Sequence, residues 1–323
     1  MQLIDIFGDS HNLSPGQQPV RIYDESITNY DSAVVTTPNG SIIDANGDLQ
    51  SATFWTNEQL EETQTTLRKQ FWKRIPKLKI DSAVSLPLYW STCYYHWMCD
   101  VLPRLSLLRQ NPLKNELFLV PFPFKTWMID SLHLLGIPKG RCVPLKGKFA
   151  YKIKHLTFPH QLAMTGDHNP ESLAWLRNQF RSKLKNQKEN NNSKLYITRR
   201  FAESRRLKNE SELIEKLKPL GFTVVAAESL PFTRQMEIFS EARVIVAPHG
   251  SGLSNSLVAN QHCQIIEIFE PEVIRRCYAT LARTLGFNHR CILGKTIRNQ
   301  TGESDIHLET NSIEELCQYI RTL

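Results

Sequence analysis

From residue 194 onward the chain alternates between two hydrophobic periods. Short apolar runs at 194–198, 222–226, 243–247 and 264–269 predict buried strands. Between the first two, Leu213, Ile214, Leu217 and Leu220 recur at helical spacing until Gly221 interrupts them, and Asn209 with Glu212 three residues later marks the start. Further helices are predicted near 232–242, 253–259 and 272–285. Strands alternating with helices require crossover connections, so this half predicts a parallel sheet covered on both faces.

The first half is less regular. Apolar runs at 83–86, 116–120 and 142–145 read as strands and 95–109 and 125–135 as helices, which predicts a second α/β domain. Before residue 80, turn formers such as Asn39-Gly40 and Asn46-Gly47 predict a β-rich or irregular leader. The polar run 185–193 can bury nothing and reads as a solvated connector after a helix over 170–184. The domains are therefore divided as 1–168 and 169–323. At the end, Ser312 and Glu315 form a capping pattern with Ile313, Leu316, Cys317 and Ile320 on one face, a helix that docks on its own domain or back on the first.

A chain of 323 residues, 41% hydrophobic, is long enough for two cores. Its net charge of +7 attracts phosphates, nucleic acid or anionic lipid heads. No apolar stretch approaches the roughly 20 residues of a bilayer span, and the acidic start with Asp5 and Asp9 lacks the basic flank of an export signal. Seven cysteines contain no Cys-x-x-Cys pair, which speaks against a zinc knuckle or a disulfide framework. The expectation is a cytoplasmic protein, at most peripheral at a membrane.

The strongest local feature is the apolar run 244–248 leading into His249-Gly250-Ser251-Gly252-Leu253. A strand that enters a helix through glycines aims unpaired N–H groups at one point, where a diphosphate would sit, with His249 or Ser251 adding a side-chain donor. The same residues also suit a plain tight turn. Arg199, Arg200, Arg205 and Arg206 follow the first strand of the same sheet, on the edge where open parallel sheets bind ligands, and a guanidinium matches phosphate oxygens in pairs. One or two of the four would hold diphosphate and the rest make surface ion pairs. Glu267, rather than Glu270, is the candidate for ribose hydroxyls.

In the first half, His96 and Asp100 stand four apart, on one face if the segment is helical, and a His oriented by an acid is a general-base arrangement. Pro103 complicates the helix, and a core histidine among aromatics is the bland alternative. No Asp-x-Asp occurs, so no metal is expected, and leaving-group charge falls to arginines and backbone donors. Phosphate-binding Gly-rich loops of the ATPase and dinucleotide types and the serine-hydrolase elbow are also missing. Nucleic acid is disfavoured because the arginines cluster beside a turn instead of interleaving with aromatics.

Taken together, Tyr94-Tyr-His-Trp-Met-Cys-Asp-Val-Leu-Pro-Arg104, Tyr196-Ile-Thr-Arg-Arg200, Ser204-Arg-Arg206, Asn209-Glu-Ser-Glu212, Ala247-Pro-His-Gly-Ser-Gly-Leu253 and Ile266-Glu-Ile-Phe-Glu270 resemble glycosyltransferase family 61. The resemblance implies an α/β GT-B fold of two Rossmann-like domains facing across a cleft, with acceptor on the first and donor on the second. It implies metal-independent, inverting transfer from a nucleotide sugar, commonly a UDP-sugar, to a glycan or polysaccharide, in a cytoplasmic polysaccharide-building relative. His96 oriented by Asp100, or Asp100 itself, is then the base, and the arginines, the glycine turn and Glu267 are the donor site. The rival expectation is a non-catalytic nucleotide- or glycan-binding protein on the same fold.

Overall fold

The computed structural model describes residues 3–5, 20–70, 75–109, 116–184, 193–272, 274–298 and 304–323. The chain forms two compact units, Arg21–Gln179 and Phe180–Leu323, the latter joined by the N-terminal stretch Met1–Val20. The division falls within the 170–181 helix, not at 168, and Ile4 bridges Cys291, so the N-terminal stretch goes with the second unit. The connector expected at 185–193 lies, apart from Ser193, outside the described residues.

The first unit contains β1 (Ile27–Thr36), β2 (Ile42–Ile43), α1 (Asn57–Lys69), β3 (Pro76–Ser85), α2 (Tyr94–His96), β4 (Leu117–Val120), α3 (Thr126–Leu134), β5 (Cys142–Pro144), β6 (Ala150–Pro159) and α4 (Pro170–Arg181), the last running into the second unit. Its sheet has the order β2-β1-β6-β3-β4-β5. Strands β6, β3, β4 and β5 run parallel, whereas β1 and β2 add antiparallel. The leader thus holds the ten-residue strand β1, the short β2 and the thirteen-residue helix α1. The alternation of β1 is blurred because Ala33, Val35 and Thr36 are buried together with less covered neighbours.

The second unit contains β7 (Ser193–Ile197), α5 (Glu210–Leu217), β8 (Phe222–Val225), α6 (Phe232–Ser240), β9 (Ala242–Pro248), β10 (Gln264–Phe269), α7 (Cys277–Leu285), β11 (Asn288–Leu293), β12 (Lys295–Arg298), β13 (Ser304–His307) and α8 (Thr310–Arg321). All five strands of its main sheet are parallel, in the order β11-β10-β9-β7-β8. The order reverses between β7 and β9, and such a switch point opens a crevice at the carboxyl ends of the strands. Gly221 and Gly286 end their helical segments in the left-handed conformation that glycine adopts without a Cβ clash.

α8 buries Ile313, Leu316, Cys317 and Ile320 against Tyr196, Leu213 and Val244, so the last helix docks on its own unit. Its N-cap is Glu309, and Ser312 lies buried inside the first turn. Asn209, placed at the cap of α5, bonds both backbone groups of Leu308 instead, tying α5 to the chain entering α8. At α5 a tertiary partner thus took up the side chain that local patterning assigned to capping. The helix expected at 253–259 is a 3-10 helix, Ser251–Val258.

Candidate active site

In the first unit, His96 and Asp100 lie on one continuous helical path of changing pitch: α2, a π-turn at Trp97–Val101 and a 3-10 helix at Leu102–Leu108. Pro103 has no N–H to donate and its ring crowds the carbonyl four residues back. The chain answers by widening, with Leu102 N–H bonded to Trp97 O. Such π-turns recur at functional sites. His96 Nδ1–H donates to Asp100 Oδ2 at 2.7 Å, and Thr165 Oγ1 donates to the same oxygen at 2.8 Å. A carboxylate oxygen accepts, so this bond places the proton on Nδ1 and the lone pair on Nε2 of His96.

Beneath this pair lies Arg104, fully buried. Its Nε donates to Pro159 O and its Nη1 to Leu86 O, each at 2.8 Å, and the guanidinium lies 5.0 Å from the Phe158 ring centroid. Burial pushes its pKa down to about 9, an effect that Asp100 opposes. Arg104 therefore clamps the helical path to the strand ends of β3 and β6 while its charge faces the acid. Thr165 and Arg104 were not singled out from sequence. Thr165 offers no local signal, since its partners are far away in the chain, whereas Arg104 stands in the motif itself.

In the second unit, the loop after β7 and the turn after β9 meet at the switch point. A Cβ built on Gly250 would stand 1.9 Å from Arg199 Nη1, so the glycine is what admits the guanidinium against the turn. At Gly252 an added Cβ would find only ordinary contacts of 3.6 and 3.8 Å, so that glycine is not sterically required. Arg199 Nη2 donates to Ser204 O at 3.1 Å, while its Nε is buried without a partner. Burial first, and then the neighbouring charge of Arg205, lowers its pKa to about 10. A buried guanidinium beside a second one with an unfilled donor is a pocket that favours an anion.

The other expected residues divide. Arg205 has φ +56 and donates its N–H to Ser304 O. Arg200 lies 5.9 Å over the ring of Phe201, which is 66% exposed. Arg206 is taken up by the buried Asp305, with Nη2 donating to Oδ2 at 2.8 Å and Nε to both oxygens at 3.2 Å. That pair fastens the loop to β13 and engages Arg206 as one of the ion pairs expected among the four arginines. Accordingly, Arg206→Ala should lower the melting temperature, because Asp305 loses its counter-charge, yet leave UDP affinity within about twofold; thermal unfolding and calorimetry on the same sample read both, and a large loss of affinity would return Arg206 to the ligand.

Glu267 lies fully buried, with both oxygens occupied. It accepts from His249 Nδ1–H at 2.5 Å and from His289 Nε2–H at 2.9 Å. Burial alone would raise its pKa, but the two imidazoles hold it below the usual carboxylate range. Glu267 is thus not free for ribose; it orients His249, whose ring also stacks on Phe269 at 5.1 Å. Just after His249 the chain turns: Ser251 starts the 3-10 helix and Leu253 N–H returns to Gly250 O at 3.0 Å. The Leu253 side chain itself is buried. Among the described residues, no group of three or more His, Cys, Asp or Glu side chains is arranged to hold a metal ion.

The family model described as Glycosyltransferase 61 matches residues 94–266, more than half of the chain. The chain belongs to this family. The family 61 match runs from α2, before His96, to the middle of β10, and so takes in His96, Asp100, Arg199 and His249 but stops one residue short of Glu267. The chain is also similar to a Drosophila melanogaster protein named EGF domain-specific O-linked N-acetylglucosamine transferase, at 33% identity over 98 residues. That alignment covers 29% of this chain and 18% of the fly protein. No helix among the described residues is long and apolar enough to cross a membrane.

Proposed function

We propose that this family 61 protein transfers a sugar from a nucleotide sugar, of the UDP-sugar class, to a glycan hydroxyl by a single inverting displacement without a metal. The observation that carries this is the seating of Arg199 on Gly250 at the switch point, beside an oriented His249. The relative named for N-acetylglucosamine transfer supports a nucleotide-sugar donor. The two units then serve as the donor and acceptor domains of a GT-B enzyme, in the cytoplasm or peripherally at its membrane.

Each group has a stated task. The Nε2 of His96 takes the acceptor proton as the acceptor oxygen bonds to the anomeric carbon. Asp100 is the weaker candidate for base, because its side chain is nearly buried and already accepts from two donors. The bond from the anomeric carbon to the phosphate oxygen breaks, and its electron pair leaves with the nucleoside diphosphate. Arg199, Arg200 and Arg205, the Ser251 turn and His249 Nε2 meet that charge.

Calorimetric titration with UDP, GDP, CMP and ADP, first in EDTA and then with Mn²⁺, tests the proposal. The expected result is micromolar UDP binding in EDTA, unimproved by Mn²⁺. Binding that needs Mn²⁺ would remove metal independence, and no nucleotide binding by folded protein would remove the donor site. UDP binding with neither hydrolysis nor transfer of any UDP-sugar would identify a binding protein instead.

A further inference from the structure

Trp90 combines two features that folding does not favour. Its indole is 45% exposed, and its backbone lies at φ +64, in the left-handed region that residues with large side chains avoid. The position is nevertheless firmly held. Leu86 and Leu88 before it are buried, Ser91 N–H returns to Leu88 O at 3.1 Å, and Cys93 N–H bonds Trp90 O at 2.8 Å. Tyr89 packs edge-on at 5.3 Å, its hydroxyl donating to Glu62 at 3.2 Å. Strain that the surroundings over-determine points to a use for the residue it displays.

That residue stands beside the proposed base. The Trp90 and His96 ring centroids are 5.3 Å apart with planes 33° from parallel, and His96 keeps part of its side chain in solvent. An exposed indole next to a proton acceptor offers a flat apolar surface edged by a group that takes a hydroxyl proton. A pyranose ring matches it: its axial C–H groups form a flat apolar face and its hydroxyls project from the rim. A serine or threonine on a polypeptide has the hydroxyl but no such face.

We propose, resting on the transferase assignment above, that Trp90 is the acceptor platform: a pyranose unit of the acceptor stacks on its indole and presents a rim hydroxyl to His96. The acceptor is therefore a glycosyl unit and not a polypeptide hydroxyl. Trp90 contributes to acceptor binding and has no part in holding the donor, since every donor group named lies in the other unit.

The test is saturation-transfer NMR with methyl pyranosides of xylose, glucose, galactose and N-acetylglucosamine, and with N-acetylthreonine amide as the polypeptide mimic. Wild type, Trp90→Phe and Trp90→Gly are compared, and each sample is also titrated with UDP. At least one pyranoside is expected to bind the wild type through its ring C–H protons. Trp90→Phe, which keeps a flat face, should weaken it by about threefold and Trp90→Gly by tenfold or more, with UDP affinity unchanged. Because glycine accepts the left-handed backbone, Trp90→Gly should melt no lower than the wild type; a clear fall in melting temperature would make Trp90 a structural residue. Equal pyranoside binding in all three proteins, no pyranoside binding by the wild type, or binding of the threonine derivative alone overturns the platform. Absence of UDP binding with the pyranoside pattern intact would instead remove the transferase reading and leave the platform standing.

Discussion

Asp100→Asn is expected to leave the protein folded and its UDP affinity within about threefold, while transfer falls by about 10²–10⁴. The carboxylate of Asp100 only accepts, so it holds the His96 proton on Nδ1 and the lone pair on Nε2. An asparagine amide can present its NH₂ to Nδ1, which moves the ring proton to Nε2 and leaves no base there. Thr165, whose hydroxyl bonds the same oxygen, can turn to accept from the amide NH₂, so the cluster need not collapse. His96→Ala should lose as much activity, and the double variant little more than either, since the two act as one unit. Thr165→Val should cost far less. Steady-state rates with saturating donor, read beside calorimetric UDP affinity, check the set. Loss of UDP binding in folded Asp100→Asn would move this pair out of the acceptor chemistry, and full activity in His96→Ala would end its role as base.

The second unit was largely legible in the sequence and the first in part: β3, β4, β5, α3 and α4 stand where apolar patterning put them, whereas β1, β6 and α1 were not read, for a physical reason. Strands β9 and β10 are buried almost throughout and β7 and β8 in part, in a parallel sheet, so each reads as an apolar run bounded by helix signals. In the first unit, β1 and β6 pair antiparallel, and polar residues such as Asn29 and Thr157 face one another across the ladder. Their stability comes from pairing 130 or so residues apart in the chain, which local periodicity does not record. The helix α1 was missed because its buried side includes the polar Gln59.

The chemistry divides by another rule, the distance in the chain to each residue's partner. His96 with Asp100 could be found because their spacing is local, and Arg199 with Gly250 because the topology of an alternating pattern brings successive loops to one edge. The partner of Glu267 could not be found. His289 enters on β11, a strand that sequence patterning missed, and it occupies the oxygen that ribose recognition would have needed. Arg206 is one of the ion pairs the sequence allowed among the four arginines, but its partner could not be named, since Asp305 lies on a later hairpin strand. Residues whose partners lie on unrecognised elements look free in a sequence, and that made an orienting acid resemble a ligand contact.

Gly250→Ala should therefore be among the most damaging conservative changes at the donor site. Its backbone φ of 177° is extended and open to any residue, so the methyl brings no strain of its own. What it brings is a carbon 1.9 Å from Nη1 and 2.8 Å from Cζ of Arg199, and the guanidinium has to leave the turn. A charge-assisted contact to a diphosphate is worth about 1.5–3 kcal/mol, so UDP affinity is expected to fall by about 10–100-fold. Arg199→Ala should lose a similar amount. The combination is the informative variant: if both act by removing the same guanidinium, Gly250→Ala with Arg199→Ala is no worse than Arg199→Ala alone, whereas independent effects would multiply. Gly252→Ala is the internal control, since its methyl meets Ile197 and Ala227 at ordinary distances and leaves Arg199 in place. Equal damage from the two alanines would mean that the turn tolerates no side chain for reasons unrelated to Arg199, and the arginine would lose its claim to the diphosphate.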